Sequence, residues 1–264
     1  MRILVLGAEG MAGHVMSLYL KENTSWDIIP WGREDFEVTT PGWGEKIKQA
    51  NELGKIDFII NCIGILKEAN QNPILGVRIN SLFPHELAKI SSALGIKVIH
   101  LSTDCWEDKD VYGRSKRAGE IEYEDHLTIR TSIIGPELKK GAGLFHWFMA
   151  QNGEVDGYST HIWDGVTTLD LAKTINYLIE NKSNISGIVD LRTEEKISKY
   201  DLLQKIKEIF RKEILINKKE TAVVDKTQGD PDIMQRKNFL EQIKELKVWI
   251  DNHQNLYTQY SQNA

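Results

Sequence analysis

Cysteine is scarce in this chain: Cys62 and Cys105 are the only two among 264 residues, and they form no CxxC pair. That excludes a disulfide framework and a thiolate-rich metal site. With no secretory-looking N-terminus, a reducing cytoplasm is the expected setting and both thiols are expected to be free. No apolar run approaches the roughly 18–20 residues of a membrane span. The hydrophobic stretches are short, as in Phe58-Ile59-Ile60, so a soluble protein with no membrane partner is expected. Positive charge is not in excess either. A formal net charge of -5, with both signs mixed along the chain, argues against a nucleic-acid partner, which would favour a basic face. The seven histidines never stand in HxxxH or HExxH spacing. No metal site is expected, and His14, His85 and His100 read as helix or strand residues.

What the chain does have is an alternation of short β-branched runs and helical stretches. Arg2–Leu6, Trp26–Trp31, Asp57–Asn61, Lys97–Ser102 and Leu127–Ser132 read as strands; Ala12–Glu22, Leu82–Leu94 and Gly113–Glu124 read as helices. Such alternation predicts an α/β fold, a Rossmann-type doubly wound parallel sheet. After Gly135-Pro136 the rhythm breaks. Residues 1–135 are therefore expected to form a dinucleotide-binding domain, with 166–182 returning to it. Residues 136–165 and 183–264 are expected to form a smaller C-terminal α/β substrate lobe that holds Ile188–Leu191, Tyr200–Phe210 and Phe239–His253.

The first strand runs into Gly7-Ala8-Glu9-Gly10-Met11-Ala12-Gly13 and then an amphipathic helix. In that context the first glycines allow a tight turn and close approach of a diphosphate to helix N-terminal N–H groups, and the last lets the helix pack on the sheet. The spacing is GxxGxxG rather than GxGxxG. Gly7, Gly10, Met11 and Gly13 are thus candidate cofactor residues. After the second strand the sequence reads Gly32-Arg33-Glu34-Asp35. The Arg33 guanidinium suits the 2′-phosphate of NADP, while Glu34 or Asp35 holding a ribose would instead mean NAD. NADP(H) is the expected cofactor and NAD the alternative. Asn61, Cys62 and Gly64 end another strand at the carboxyl edge, where ligands bind in open sheets.

The densest chemical signal follows the strand that ends near Leu101. Ser102-Thr103-Asp104 is followed by Tyr112-Gly113-Arg114-Ser115-Lys116. Tyr112 and Lys116 are four apart and share a helix face. A nearby ammonium favours the phenolate, which makes Tyr112 a candidate proton donor and acceptor.

The stretches GAEGMAG, NCIG, INSLFPHELA, HLSTD, YGRSKRAGE and IRTSIIG, with GVTTLDLA and ISKYDLL further on, resemble the extended short-chain dehydrogenase/reductase family, within it the dTDP-4-dehydrorhamnose reductase branch. The likeness spans most of residues 1–135. It implies that Thr103 hydrogen-bonds the reacting carbonyl and Tyr112 supplies its proton. Lys116 would hold the nicotinamide ribose and tune Tyr112, and Asn80 would support the lysine. It further implies an NADP(H)-dependent reductase of a 4-keto group on a nucleotide-linked 6-deoxy sugar, serving polysaccharide biosynthesis, with a homodimer as an open assembly.

Two other functions stay open. One is an NAD-dependent epimerase or dehydratase of the same superfamily. The other is a non-catalytic NADP-binding regulatory subunit, since the methionine adenosyltransferase regulatory subunit resembles this branch. Eight residues separate Thr103 from Tyr112, fewer than in the reductases the chain resembles. Either the site is unusually open there or the sequence lacks a lid segment. Substrate contacts are expected from Arg130–Ser132, Lys139, Lys140, His146, Trp147, His161–Trp163, Arg192 and Lys226, with Arg130 read as more structural than catalytic.

Overall fold

The computed structural model describes residues 1–104, 110–139, 141, 143–225, 227 and 237–263, with side chains through 260. In chain order the elements are β1 (Arg2–Leu6), α1 (Met11–Asn23), β2 (Asp27–Trp31), α2 (Trp43–Leu53) and β3 (Phe58–Asn61). Next come α3 (Lys67–Gln71), α4 (Pro73–Gly76), a π-helical turn (Val77–Leu82), α5 (Phe83–Ala93), β4 (Lys97–Leu101), α6 (Val111–Arg117) and β5 (Leu127–Arg130). The series continues with β6 (Ile133–Ile134), α7 (Leu144–Ala150), β7 (Gly153–Tyr158), β8 (His161–Trp163), β9 (Val166–Thr167), α8 (Thr168–Asn181) and β10 (Gly187–Asp190). It ends with β11 (Ile197–Ser198), α9 (Lys199–Ile209), β12 (Ile214–Lys219), β13 (Val224–Asp225), α10 (Phe239–Asn252) and a 3-10 helix (Thr258–Asn263). No helix among the described residues is long and apolar enough to cross a membrane. The chain divides into two compact units, residues 1–131 with 172–190, and residues 132–171 with 191–264.

The first unit is built on a six-stranded, wholly parallel sheet in the order β2-β1-β3-β4-β5-β10. Its strands are mainly apolar at their centres because both faces of such a sheet are covered. Leu4, Leu6, Ile59 and Val98 pack with Ile47 of α2 and with Phe83 and Leu87 of α5. Ile3 and Val5, which alternate with them, are also fully buried. Pro30 is tolerated because β2 is an edge strand, where a missing ladder donor costs little. The chain leaves β1 for β2 and returns to β3 on the other side, so the order reverses at β1. The carboxyl ends of β1 and β3 bound the crevice that this reversal opens.

Three elements differ from the sequence reading. The strand at Ile188 pairs in parallel with β5, from Gly187 with Leu127 to Asp190 with Arg130, so it is the sixth strand of the main sheet and not part of the smaller lobe. The helix carrying Tyr112 ends at Arg117 rather than near Glu124. Gly119 there lies so close to the chain that a methyl on it would sit 1.9 Å from the Asn80 carbonyl oxygen, and Ile121 turns its backbone to the Thr128 hydroxyl. The helix Trp43–Leu53 fills a stretch with no element in the sequence reading; its inward face is little more than Trp43 and Ile47.

The second unit has its own core, with Phe145 edge-on to Phe210 at 5.1 Å and Trp163 stacked on Phe239 at 5.2 Å. Its strands form short pairings: β7 with β12, β6 with β9, and β8 between β11 and β13.

Candidate active site

The turn after β1 is built for close approach. Gly7 has φ of +77°, a conformation glycine adopts without steric cost, and its N–H and that of Ala8 both donate to the Trp31 carbonyl at 3.0 Å. A methyl on Gly13 would stand 2.2 Å from the Gly7 carbonyl oxygen, so only glycine lets α1 start this close to the strand. The N-terminus of α1 has no side-chain cap, and its N–H groups, with the helix dipole behind them, suit an anion.

A cavity of about 390 Å³ opens at the turn, lined by Gly7, Gly10, Gly32, Arg33, Cys62 and Gly64 among others. Met11 and Gly13 are not part of its lining; Met11 is the first residue of α1, and Gly13 acts through helix packing. Arg33 is exposed, and its Nε donates to Glu37 Oε2 at 2.8 Å. The described residues offer its terminal nitrogens no partner, so they remain available to an anion. Asp35 accepts the Gly32 N–H at 3.0 Å, which commits it to the turn. Glu34 does not line the cavity, whereas Glu9, Glu37 and Glu68, unmarked in the sequence reading, do. Glu37 has its carboxyl held below the usual range by the Thr39 N–H, with Arg33 adding to it.

Asn61 is fully buried and does not reach the cavity. Its Oδ1 accepts the Ile63 N–H at 3.1 Å, and its Nδ2 donates to His100 Nδ1 at 3.0 Å. It therefore shapes the Cys62–Gly64 loop from behind. Because His100 Nδ1 accepts, its proton is on Nε2. Burial, then Lys116 and His85, keep that imidazole far below its ordinary pKa and so neutral.

Asn80 sits in the π-helical turn, a deviation often found at functional sites. Its amide grips Ile65 at both ends, accepting from the N–H at 3.0 Å and donating to the carbonyl at 2.9 Å, and also donates to Ser115 Oγ at 3.1 Å. Lys116 is buried, with Nζ donating to the Leu101 carbonyl at 2.6 Å. A methyl on Gly64 would lie 3.6 Å from both Asn80 Oδ1 and Lys116 Nζ, so the cavity wall, the asparagine and the lysine converge. Burial draws Lys116 down to about 8, against Glu120 and Cys62, which hold it up. The Cys62 thiol is pushed up to about 12 by burial, Lys116 opposing. At neutral pH the pair is an ammonium beside a neutral thiol.

Thr103 is buried just past β4, with Oγ1 donating to Asp104 Oδ1 at 3.4 Å. Ser102, next to it, donates to Glu120 Oε1 at 2.8 Å. Glu120 also takes both forks of Arg130, Nε at 2.8 Å and Nη2 at 2.7 Å. This buried carboxylate ties the ends of β4, α6 and β5 together. It closes the YGRSKRAGE stretch, where nothing in the sequence marks it as a strand tie. Tyr112 is the second residue of α6, one turn before Lys116.

Several substrate-side candidates are committed to internal partners. Arg192 pairs with Asp164 at 3.4 Å, both buried. Trp163 stacks inside the core, and His146 Nδ1 meets Tyr260 Oη at 2.8 Å. His161 stacks on Tyr158, while Trp147 is partly exposed. Cys62 is a free thiol. Cys105, Lys140 and Lys226 lie outside the described residues, as do residues 105–109 between Thr103 and Tyr112.

A family model described as the RmlD substrate binding domain matches residues 1–237. Among curated proteins, a dTDP-4-dehydrorhamnose reductase of Mycobacterium tuberculosis is 24% identical over 202 residues, 66% of this chain and 64% of its own length. One from Streptomyces griseus is 29% identical over 159 residues, 54% of this chain and 51% of its own. The chain thus spans less than two thirds of the length of these curated relatives. Among solved structures, dTDP-4-dehydrorhamnose reductase of Bacillus anthracis in complex with NADP has a TM-score of 0.78 at 19% identity, covering 94% of this chain and 99% of that one. At that identity the likeness shows the fold.

Proposed function

The chain belongs to the RmlD substrate binding domain family, and on that footing we propose that it is an NADPH-dependent reductase of the 4-keto group of a nucleotide-linked 6-deoxy sugar. The observation that carries this reading is the convergence of Gly64, Asn80 and Lys116 at the wall of the cavity that opens on the glycine turn. It puts the residues that would hold a nicotinamide ribose beside those that would hold a diphosphate. The reductase names of the relatives point the same way.

The residues fit NADPH. The uncapped start of α1 and the missing side chains at Gly7 and Gly10 form a cradle for a diphosphate. Arg33, oriented by Glu37, presents its free nitrogens for the 2′-phosphate. Bound there, NADPH supplies the hydride for the C4 carbonyl. Thr103 donates a hydrogen bond to the carbonyl oxygen, and Tyr112 gives that oxygen a proton as negative charge develops on it. Lys116, charged at neutral pH, stabilises the phenolate left on Tyr112 and holds the ribose hydroxyls. Asn80 keeps Ser115 and the Ile65 loop in place around it.

The test is NADPH consumption by the purified protein against a panel of dTDP- and UDP-linked 4-keto-6-deoxy sugars, with product stereochemistry read by NMR. Turnover of one member establishes the reaction and its substrate. NADPH binding without turnover of any would replace this reading with that of a cofactor-binding regulatory subunit.

A further inference from the structure

Tyr112 lies in the first turn of α6, a helix of only seven residues. The first N–H groups of a helix have no partner within it, and so short a helix has little stability of its own. Two side chains complete this one. Asp110 Oδ1 accepts the Gly113 N–H at 2.8 Å as the helix cap. Asn70 Oδ1 accepts the Tyr112 N–H at 3.0 Å. Asn70 Nδ2 then donates to the other Asp110 carboxylate oxygen, Oδ2, also at 3.0 Å, so the two caps brace each other.

Asn70 is not a local cap. It stands 42 residues before Tyr112, on α3, directly after the Cys62–Ile65 loop that lines the cofactor cavity. The other end of the same residue is held too: Ser115 Oγ donates to the Tyr112 carbonyl at 3.0 Å, and Asn80 Nδ2 donates to Ser115 Oγ at 3.1 Å. The backbone N–H and C=O of Tyr112 are thus both held by side chains, and Asn70 and Asn80 reach them from the segment that follows β3. An amide suits the Asn70 position because it accepts on one atom and donates on the other. A carboxylate there could not donate to Asp110, and alanine could do neither.

We propose that Asn70 is a positioning residue for Tyr112: braced on Asp110, it locks the first turn of α6 and couples the placement of the phenol to the loop that lines the cofactor cavity. This rests on the reading of Tyr112 as the proton donor. Asn70 is exposed, so its replacement leaves the core intact.

The experiment uses the full chain as wild type, Asn70→Ala, Asn70→Asp, Asp110→Asn and the exchanged pair Asn70→Asp with Asp110→Asn. Steady-state turnover of the best keto sugar, NADPH affinity and amide hydrogen exchange over residues 110–116 are measured on each. In both single Asn70 variants kcat is expected to fall about tenfold, the worth of one hydrogen bond, with NADPH affinity unchanged and exchange over α6 faster. Asn70→Asp should be hit hardest, because it sets two carboxylates against each other. The exchanged pair restores the whole set of bonds with acceptor and donor reversed, so it should recover both kcat and protection. Unchanged exchange in Asn70→Ala, faster exchange with unchanged kcat, or an exchanged pair that folds without recovering would each overturn the proposal. A wild type that binds NADPH but reduces nothing would instead sink the reductase reading, and the exchange data would still decide whether the clamp exists.

Discussion

Lys116 Nζ donates a 2.6 Å hydrogen bond to the carbonyl of Leu101, two residues before Thr103. The bond fixes the ammonium against the end of β4 and accounts for its burial. Burial leaves that ammonium poorly solvated, so that it titrates at about 8. On the proposed mechanism, the reduction rate should fall between pH 7 and 9.5 through an apparent pKa near that value, because the charge that would stabilise a Tyr112 phenolate is lost. The pH profile of kcat/KM checks this. Lys116→Arg, which stays charged, should push that limb upward; a limb that stays put in the arginine variant would assign it to another group.

Glu120 supplies a second and independent handle on the same charge. It is first among the groups that support the Lys116 ammonium against burial, and it holds Arg130 through both of that residue's forks. Glu120→Gln should move the alkaline limb to lower pH. It should also cost about 1.5–3 kcal/mol of stability, because the hydrogen bonds from Ser102 and Arg130 would no longer meet a charged acceptor. Urea denaturation and the pH profile read the two effects separately. Lost stability with an unmoved limb would confine Glu120 to holding the strands.

The glycine turn makes a graded prediction. At Gly13 a methyl collides with the Gly7 carbonyl oxygen at 2.2 Å, whereas at Gly10 the same atom is 3.3 Å away. Gly13→Ala should therefore lose about 1–3 kcal/mol, as overpacked sites do, and bind NADPH at least tenfold more weakly. Gly10→Ala should lose less of both. Equal effects would mean that the turn relaxes as a unit.

How much of this was legible before the fold depends on how local each signal is. The strands of the main sheet stand out as short, mainly apolar runs because a parallel sheet is buried on both faces. Gly7, Gly10, Arg33, Cys62 and Gly64 follow from their places at strand ends, and all five line the cavity. Asn61 has the same sequence position but turns inward to His100, since the side-chain direction at a strand end depends on one residue of register. The place of the strand Gly187–Asp190 is not legible, because its pairing with β5 is made across some sixty residues and nothing local encodes it. Asn70 was silent for the same reason. Its chemistry exists only once α3 and α6 meet.

The proposed preference for NADPH rests on Arg33. Its Nε is taken by Glu37, so only the terminal nitrogens are left for a 2′-phosphate, and a hydrogen bond to a charged group is worth about 1.5–3 kcal/mol. Arg33→Ala should cut the preference for NADPH over NADH by about 10- to 100-fold in titrations of both cofactors, with NADH affinity little changed. A preference that survives would mean that another group reads the phosphate.

Acid should destabilise the protein sooner than its carboxylates alone would. Burial lowers the pKa of His14, His100 and His126 from the ordinary 6.5, and at His126 protonation would also cost the Val98 N–H its acceptor on Nδ1. Each imidazole is held neutral in the folded chain, while the unfolded chain binds a proton on each near pH 6.5. Stability is therefore fully present above 6.5 and falls as pH drops below it, towards the depressed folded values. Each histidine contributes up to about 1.4 kcal/mol per pH unit in that window. Urea midpoints at pH 7.5, 6.5 and 5.5 should be level over the first step and drop over the second, before the carboxylates titrate. His126→Gln, whose side-chain carbonyl can still accept, should make the second step shallower. A midpoint that holds down to pH 5.5 would mean that these sites open enough to admit the proton without cost.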